Sequence, residues 1–247
     1  MEPDQNDQLV LAMRNAGRRL AQPRSIRDLE ETLGQVVAAA VDTIPAVDAA
    51  SISITQHGRI ETRHPTSDLI RKLDELQSEL HEGPCIRAIE DPPENGIVIA
   101  QDLAGDDGER WPQYAPHAVD AGYLGLMSTT LSTEGGVRGA LNLYSKNPNA
   151  FSERSRTLAG LFGVQAALLL YGSTQASHLQ KAVDSRDLIG QAKGILRERF
   201  KVDGGGAFQM LVKSSQDTNI KLIEVARWLT TDQADKAQPD DNSGTCG

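Results

Sequence analysis

The sequence predicts an α+β domain, one antiparallel sheet flanked by helices, followed by a small all-α domain of three helices. Three observations carry this expectation. Over residues 26–145 the apolar period switches between helical and strand-like, and the strands follow one another without the long crossovers of a doubly wound sheet. From Ser152 onward the pattern is helical only. The charge balance also changes sign: residues 1–177 hold 15 Lys+Arg against 24 Asp+Glu (−9), 178–233 hold 9 against 7 (+2), and 234–247 hold 1 against 3 (−2). Such asymmetry marks a separate module with its own partner.

Each element has its own signal. A first helix is expected over 6–21, ahead of Pro23. Leu29, Leu33, Val36, Ala40 and Ile44 are spaced for one face of an amphipathic helix over 26–44. "ASISITQ" alternates Ile52 and Ile54 with polar residues, and "GRIET" follows His57-Gly58, which predicts a hairpin over 50–63. Leu69, Leu73, Leu76 and Leu80 return to helical spacing over 67–80. Strands are expected at 96–103, 124–132 and 137–145, the last two joined by the turn "TEGG", with a short helix within "WPQYAPHAVDAG" ending at Gly122. After Ser152 come a long helix and then short helices over 207–216 and 219–230, with a disordered tail over 233–247. The polar "YGSTQAS" (171–177) is poor in helix formers and places a boundary there.

Composition excludes several classes. The chain has 247 residues, 39% of them hydrophobic and 24% charged, the range of a soluble globular protein. No apolar run approaches the ~20 residues a spanning helix needs, and the acidic start "MEPDQNDQLV" is unlike a secretory signal. The two cysteines, Cys85 and Cys246, offer neither a disulfide framework nor a CxxC pair, which fits a reducing cytoplasm. The five histidines (His57, His64, His81, His117, His178) show no metal-ligand spacing, and no GxSxG or P-loop occurs. We therefore expect no catalytic residue, no metal and no membrane.

The C-terminal module carries the sharpest pattern, within "IGQAKGILRERF". At 100° per residue Leu188, Ile189, Ala192, Ile195, Leu196 and Phe200 share one arc. Arg186, Gly190, Lys193 and Arg197 form the adjacent stripe at i, i+4, i+7 and i+11. Cations beside a bare glycine suit a phosphate backbone, since each replaces a condensed counterion and the missing side chain allows close approach. The alternative is an ordinary solvated face. Phe208, Leu211, Val212 and Ser215 follow at helical spacing, with Asp203 as N-cap, and the last helix is expected to bury Leu222, Ala226 and Leu229.

"DLIGQAKGILRER…AFQMLVKSSQDTNIKLIEVARWL" resembles the ANTAR domain, the RNA-binding module of bacterial transcription antiterminators. The matching blocks are "QAKGIL", "AF", "SSQDTN" and "LIEVA", over residues 184–232. The resemblance implies a three-helix domain acting as a homodimer on paired RNA stem-loops. It makes Gln191, Lys193, Gly194, Ser214, Ser215 and Asn219 candidate RNA contacts; the charge argument adds Arg186, Gly190, Arg197 and Arg227. The "DGGGAF" stretch departs from the family and suggests a loose joint before Ala207.

"ELHEGPCIRAI", "IVIAQDL", "WPQYAPHAVDAGYLGLMSTTL" and "GVRGALNLYSKNPNAFSE" resemble a GAF domain over 26–172, joined through a helical linker over 173–183. The resemblance implies a pocket on one face of the sheet for a small ligand; no cofactor is evident. Cys85, Trp111, Tyr114 and Tyr123 are the candidate pocket residues, the alternative being that they are core. Cys85 follows Pro84 at a predicted helix N-terminus, where the dipole favours thiolate and hence a redox sensor. The function expected is a signal-gated RNA-binding antitermination regulator. The runner-up is a helix-turn-helix DNA-binding regulator using Asn219, Lys221 and Arg227.

Overall fold

The computed structural model describes residues 26–56, 58–132 and 138–236. The expected helix at 6–21, the "TEGG" turn, Cys246 and the tail beyond Lys236 lie outside these residues. The chain divides into two compact units, 1–174 and 175–247.

In the first unit, α1 (Ile26–Thr43) leads into β1 (Ala49–Gln56), β2 (Arg59–Arg63), α2 (Asp68–Leu80) and α3 (Pro84–Glu90). Then come β3 (Ile97–Ala100), a 3-10 turn (Asp106–Arg110), α4 (Tyr114–Asp120), β4 (Gly125–Thr130), β5 (Gly139–Ser145) and the start of α5 (Glu153–Phe200). The five strands form one sheet in the order β2-β1-β5-β4-β3, antiparallel at every pairing. β5 is central: Leu141 faces Ile52 of β1 and Thr129 of β4.

Alternation along β1 and β5 sends side chains to two faces, and helices cover both. Ala50, Ile52, Ile54, Leu141 and Leu143 pack with Leu33, Val36 and Ala40 of α1 and with Ala159, Phe162 and Ala166 of α5. On the other face Ala140 and Tyr144 pack with Ile70 and Leu73 of α2, Cys85 and Ala88 of α3, and Tyr114 of α4. By length and composition alone α5 is long and apolar enough to cross a membrane, where the sequence reading found no such run. Within the first unit one face of it, Ala159, Phe162, Ala166 and Leu169, is buried on the sheet, while Val164 and Leu168 are exposed.

Two features of the first unit go beyond what periodicity shows. The polar positions of β1, Ser51 and Ser53, are fully buried, because α2 and α3 cover the face that alternation assigned to water. On α2 the buried stripe is Ile70, Leu73, Asp74 and Gln77, while Leu69 is 43% exposed. Of the four leucines Leu73 lies on the inner face, Leu76 and Leu80 pack at its edge, and Leu69 points away.

The second unit contains the end of α5, α6 (Gly204–Thr218) and α7 (Leu222–Lys236). Its core is small: Ala192 and Leu196 of α5, Ala207 and Leu211 of α6, Val225 and Ala226 of α7. "YGSTQAS" does not interrupt α5; Thr174 Oγ1 donates to Leu170 O at 2.9 Å, so its hydroxyl is satisfied within the helix. "DGGG" is not a joint. Asp203 accepts from Gly206 N at 2.7 Å, and this cap holds Gly204–Gly206 as the first turn of α6. Nor does Asn219 open α7: at φ 54° it is the left-handed C-cap of α6, and α7 continues to Lys236.

Candidate nucleic-acid interface and ligand pocket

In the second unit Arg186, Gly190 and Lys193 come together on α5, as the wheel predicts. With Ser185 and Ile189 of α5 and Phe208 of α6 they line a depression of about 450 Å³. A Cβ on Gly190, or on Gly194, would meet nothing within 4 Å, so packing inside the chain does not require either glycine. Lys193 Nζ lies 5.8 Å from the centre of the Phe208 ring, within cation–π range. Arg197 is exposed one turn further along the stripe, and Gln191 and Gly194 are exposed beside it.

The remaining candidates do other things. Ser215 is half-buried and its hydroxyl donates to Ile220 O at 2.6 Å, tying α6 to the turn that Asn219 caps. Ser214 is exposed. Arg227 pairs with Glu224 on its own helix. Phe208, spaced with Leu211 on α6, is 38% exposed where Leu211 is buried.

In the first unit Cys85, Trp111, Tyr114 and Tyr123 all fall in the cluster between the sheet and α2–α4. Beneath them is a polar network that the sequence reading missed. Tyr144 donates to Asp74 Oδ1 at 2.6 Å, and Asn142 Nδ2 donates to the same oxygen at 3.1 Å and to Ser53 Oγ at 3.0 Å. Ser128 donates to Asn142 Oδ1 at 2.8 Å. Gln77 Nε2 donates to Tyr144 Oη at 3.2 Å while its Oε1 accepts from Cys85 N at 3.0 Å. Asp74 Oδ2 and the Tyr114 phenol are buried without a hydrogen-bond partner. Burial pushes the Asp74 carboxyl up to about 6, against the donors of Ser51, Tyr144, Thr62 and Asn142 that favour its charge.

Burial decides between the two readings of Cys85 in favour of packing and against the thiolate. Its thiol is pushed up to about 12, by desolvation first and then by the Asp74 charge, which outweighs the dipole of the seven-residue α3. "EGPC" is a packing device. Glu82 accepts from Gln113 N at 2.8 Å and Tyr114 N at 3.2 Å, and Gly83 takes φ +126° with Gln77 against it. No group of His, Cys, Asp or Glu suited to a metal ion occurs among the described residues.

The model of the GAF domain family matches residues 26–170, more than half of the chain, and that of the ANTAR domain matches 177–229. The chain therefore belongs to the GAF family and ends in an ANTAR domain. Both are regulatory domains, and together they define a signal-regulated regulator with an RNA-binding module. No curated protein matches the chain. Among solved structures, the R. palustris bacteriophytochrome RpBphP3 aligns over 78% of this chain and 43% of its own, at 12% identity and TM-score 0.51, a likeness of fold. The GAF domain of an Acinetobacter phosphoenolpyruvate-protein phosphotransferase aligns over 68% of this chain and 96% of its own, at 17% identity and TM-score 0.46. A domain of a putative two-component sensor histidine kinase from Sinorhizobium meliloti 1021 aligns over 64% and 99%, at 19% identity and TM-score 0.46.

Proposed function

We propose that this protein is a cytoplasmic, homodimeric transcription antitermination regulator that grips paired RNA stem-loops through its C-terminal domain under control of its N-terminal domain. One observation carries the reading: Arg186, Gly190 and Lys193 converge on a depression whose lining includes no acidic side chain, in a domain matched to ANTAR. Cations beside an uncovered helix surface suit RNA, which is bound through phosphates, shape and loop bases. Arg197, Gln191 and Gly194 lie beside it on α5, and Ser214 and Arg227, the latter released from Glu224, are further RNA contacts in this reading. Ser215 and Asn219 shape it from beneath, through the turn they hold. Holding the RNA in an antiterminating hairpin competes with formation of a terminator. The reading assigns no catalysis to the chain.

Control falls to the first unit. Its buried cluster, with Asp74 Oδ2 and Tyr114 Oη unpartnered, is the seat for a small ligand bordered by Cys85, Trp111 and Tyr123. A ligand gates the protein if it binds one dimer arrangement better than another. Exposed Val164 and Leu168 in the first unit, and Leu179 and Val183 in the second, supply apolar surface for self-association.

Gel shifts with a double-hairpin RNA and with duplex DNA test the reading, and light scattering tests the dimer. Tight binding to duplex without binding to the hairpins favours the helix-turn-helix alternative. That alternative has less support, since Asn219, expected to open the recognition helix, is instead the C-cap of α6. A monomer at micromolar concentration, with and without RNA, refutes the dimer.

A further inference from the structure

Phe208 is left outside a core that has few large side chains to spare. The buried core of the second unit is Ala192, Leu196, Ala207, Leu211, Val225 and Ala226, yet the phenyl ring one residue after Ala207 is not part of it. Helical side chains lean over the residues three and four positions before them. For Phe208 these are Gly205 and Gly204, and a Cβ at either would not come within 4 Å of the ring, which stands clear of the first turn of its own helix. Across the depression is Gly190, again with open space where a Cβ would be. Gly190 thus leaves the depression open on the side of α5, with the ring on the side of α6.

The surroundings select the occupant. Arg186 and Lys193 flank Gly190, four residues before it and three after, and the lining of the depression includes no carboxylate. Lys193 Nζ lies over the ring, 5.8 Å from its centre, on a flexible stem that can swing aside and carry the cation to a phosphate when a base stacks there. An apolar helix of a second copy would leave both cations unused. A nucleotide uses everything present, because its base stacks on the ring while its phosphates take the cations. A base paired inside a stem is not free to enter; an unpaired loop base is.

We propose that Phe208 is a stacking platform for one unpaired base of an RNA hairpin loop, seated between α5 and α6 with Arg186 and Lys193 on the flanking phosphates. The proposal rests on the RNA-binding reading above and adds to it the residue that receives the base.

The test uses the full chain and a synthetic double-hairpin RNA with purine-containing loops, each loop position in turn carrying 2-aminopurine. Phe208→Leu keeps an apolar side chain and removes the aromatic face; it is expected to weaken binding about tenfold with an unchanged salt slope. Phe208→Trp is expected to bind within about twofold of the parent, because stacking persists. One loop position is expected to lose fluorescence on binding the parent and to keep it on binding Phe208→Leu, while circular dichroism stays the same. Equal binding by the parent and Phe208→Leu, or equal weakening of both variants, overturns the platform and leaves RNA binding standing. A lower oligomeric mass for Phe208→Leu overturns it in favour of a protein seat. Failure of the parent to bind hairpin RNA at all removes the underlying reading and the proposal together.

Discussion

The Tyr144 phenol donates to Asp74 Oδ1 at 2.6 Å, with both side chains buried between the sheet and α2. This is the shortest link in a polar network that crosses from β1 and β5 to α2 and α3. The other Asp74 oxygen has no partner, so the carboxylate is held but incompletely satisfied.

That arrangement fixes a pH dependence. Asp74 is raised from its ordinary 3.8 to about 6 in the folded protein, so the native state holds this proton more tightly than the unfolded chain does. Its contribution to stability is complete below about pH 4, is lost as pH rises through 6, and amounts to about 3 kcal/mol. Asp74→Asn has no carboxyl to titrate. The stability of the wild type relative to this variant, from urea unfolding, is expected to fall by about that amount between pH 4 and pH 7. Parallel profiles for the two proteins would contradict the raised value.

Cys85 should behave as a packed residue. With its thiol at 1% exposure and pushed up to about 12, it is expected to resist maleimide at neutral pH in the native protein and to react at once in denaturant. A Cys246→Ser background isolates the signal, and mass spectrometry reads it. Rapid native labelling would restore the sensor reading.

Two glycine substitutions are expected to act in opposite directions. At Gly83, φ is +126° and a Cβ would lie 2.1 Å from Gln77 Oε1. Gln77 cannot simply yield, since its amide serves both Tyr144 and Cys85. Gly83→Ala should therefore cost at least about 2 kcal/mol. At Gly205 a Cβ meets only Asp203 Oδ1, at 3.6 Å, and the backbone is helical. Gly205→Ala should stabilise by up to about 1 kcal/mol. Denaturant unfolding of both variants checks the pair.

The basic stripe makes a salt prediction. Lys193→Ala with Arg197→Ala is expected to weaken binding to hairpin RNA and to reduce the slope of log affinity against log salt by about 1–2. An unchanged slope in a folded protein means that these cations face no phosphate.

How far the sequence reached depended on what each pattern measures. Periodicity found the five strands, α1 and α2 of the first unit, because period 2 and period 3.6 are properties of the local chain, but it did not find the 3-10 turn at Asp106–Arg110. Local chemistry also placed the Asp203 cap, and the wheel placed Arg186, Gly190 and Lys193 on one stripe. It missed the αL turn at Asn219, where residues that resemble a helix start serve to end the helix before it.

The residues themselves determined the fold class, the two-domain architecture and the basic ridge, all of which follow from short-range spacing and composition. Tertiary structure alone decided which polar groups were to be buried. On α2 the sequence offers leucines at 69, 73, 76 and 80, yet the helix turns Asp74 and Gln77 inward because Tyr144, Asn142 and Cys85 wait there with complementary donors and acceptors. Ser51 and Ser53 are hidden for the same reason. Hydrophobic pattern assigns polar residues to water; only the meeting of distant segments supplies the partners that make burying them stable.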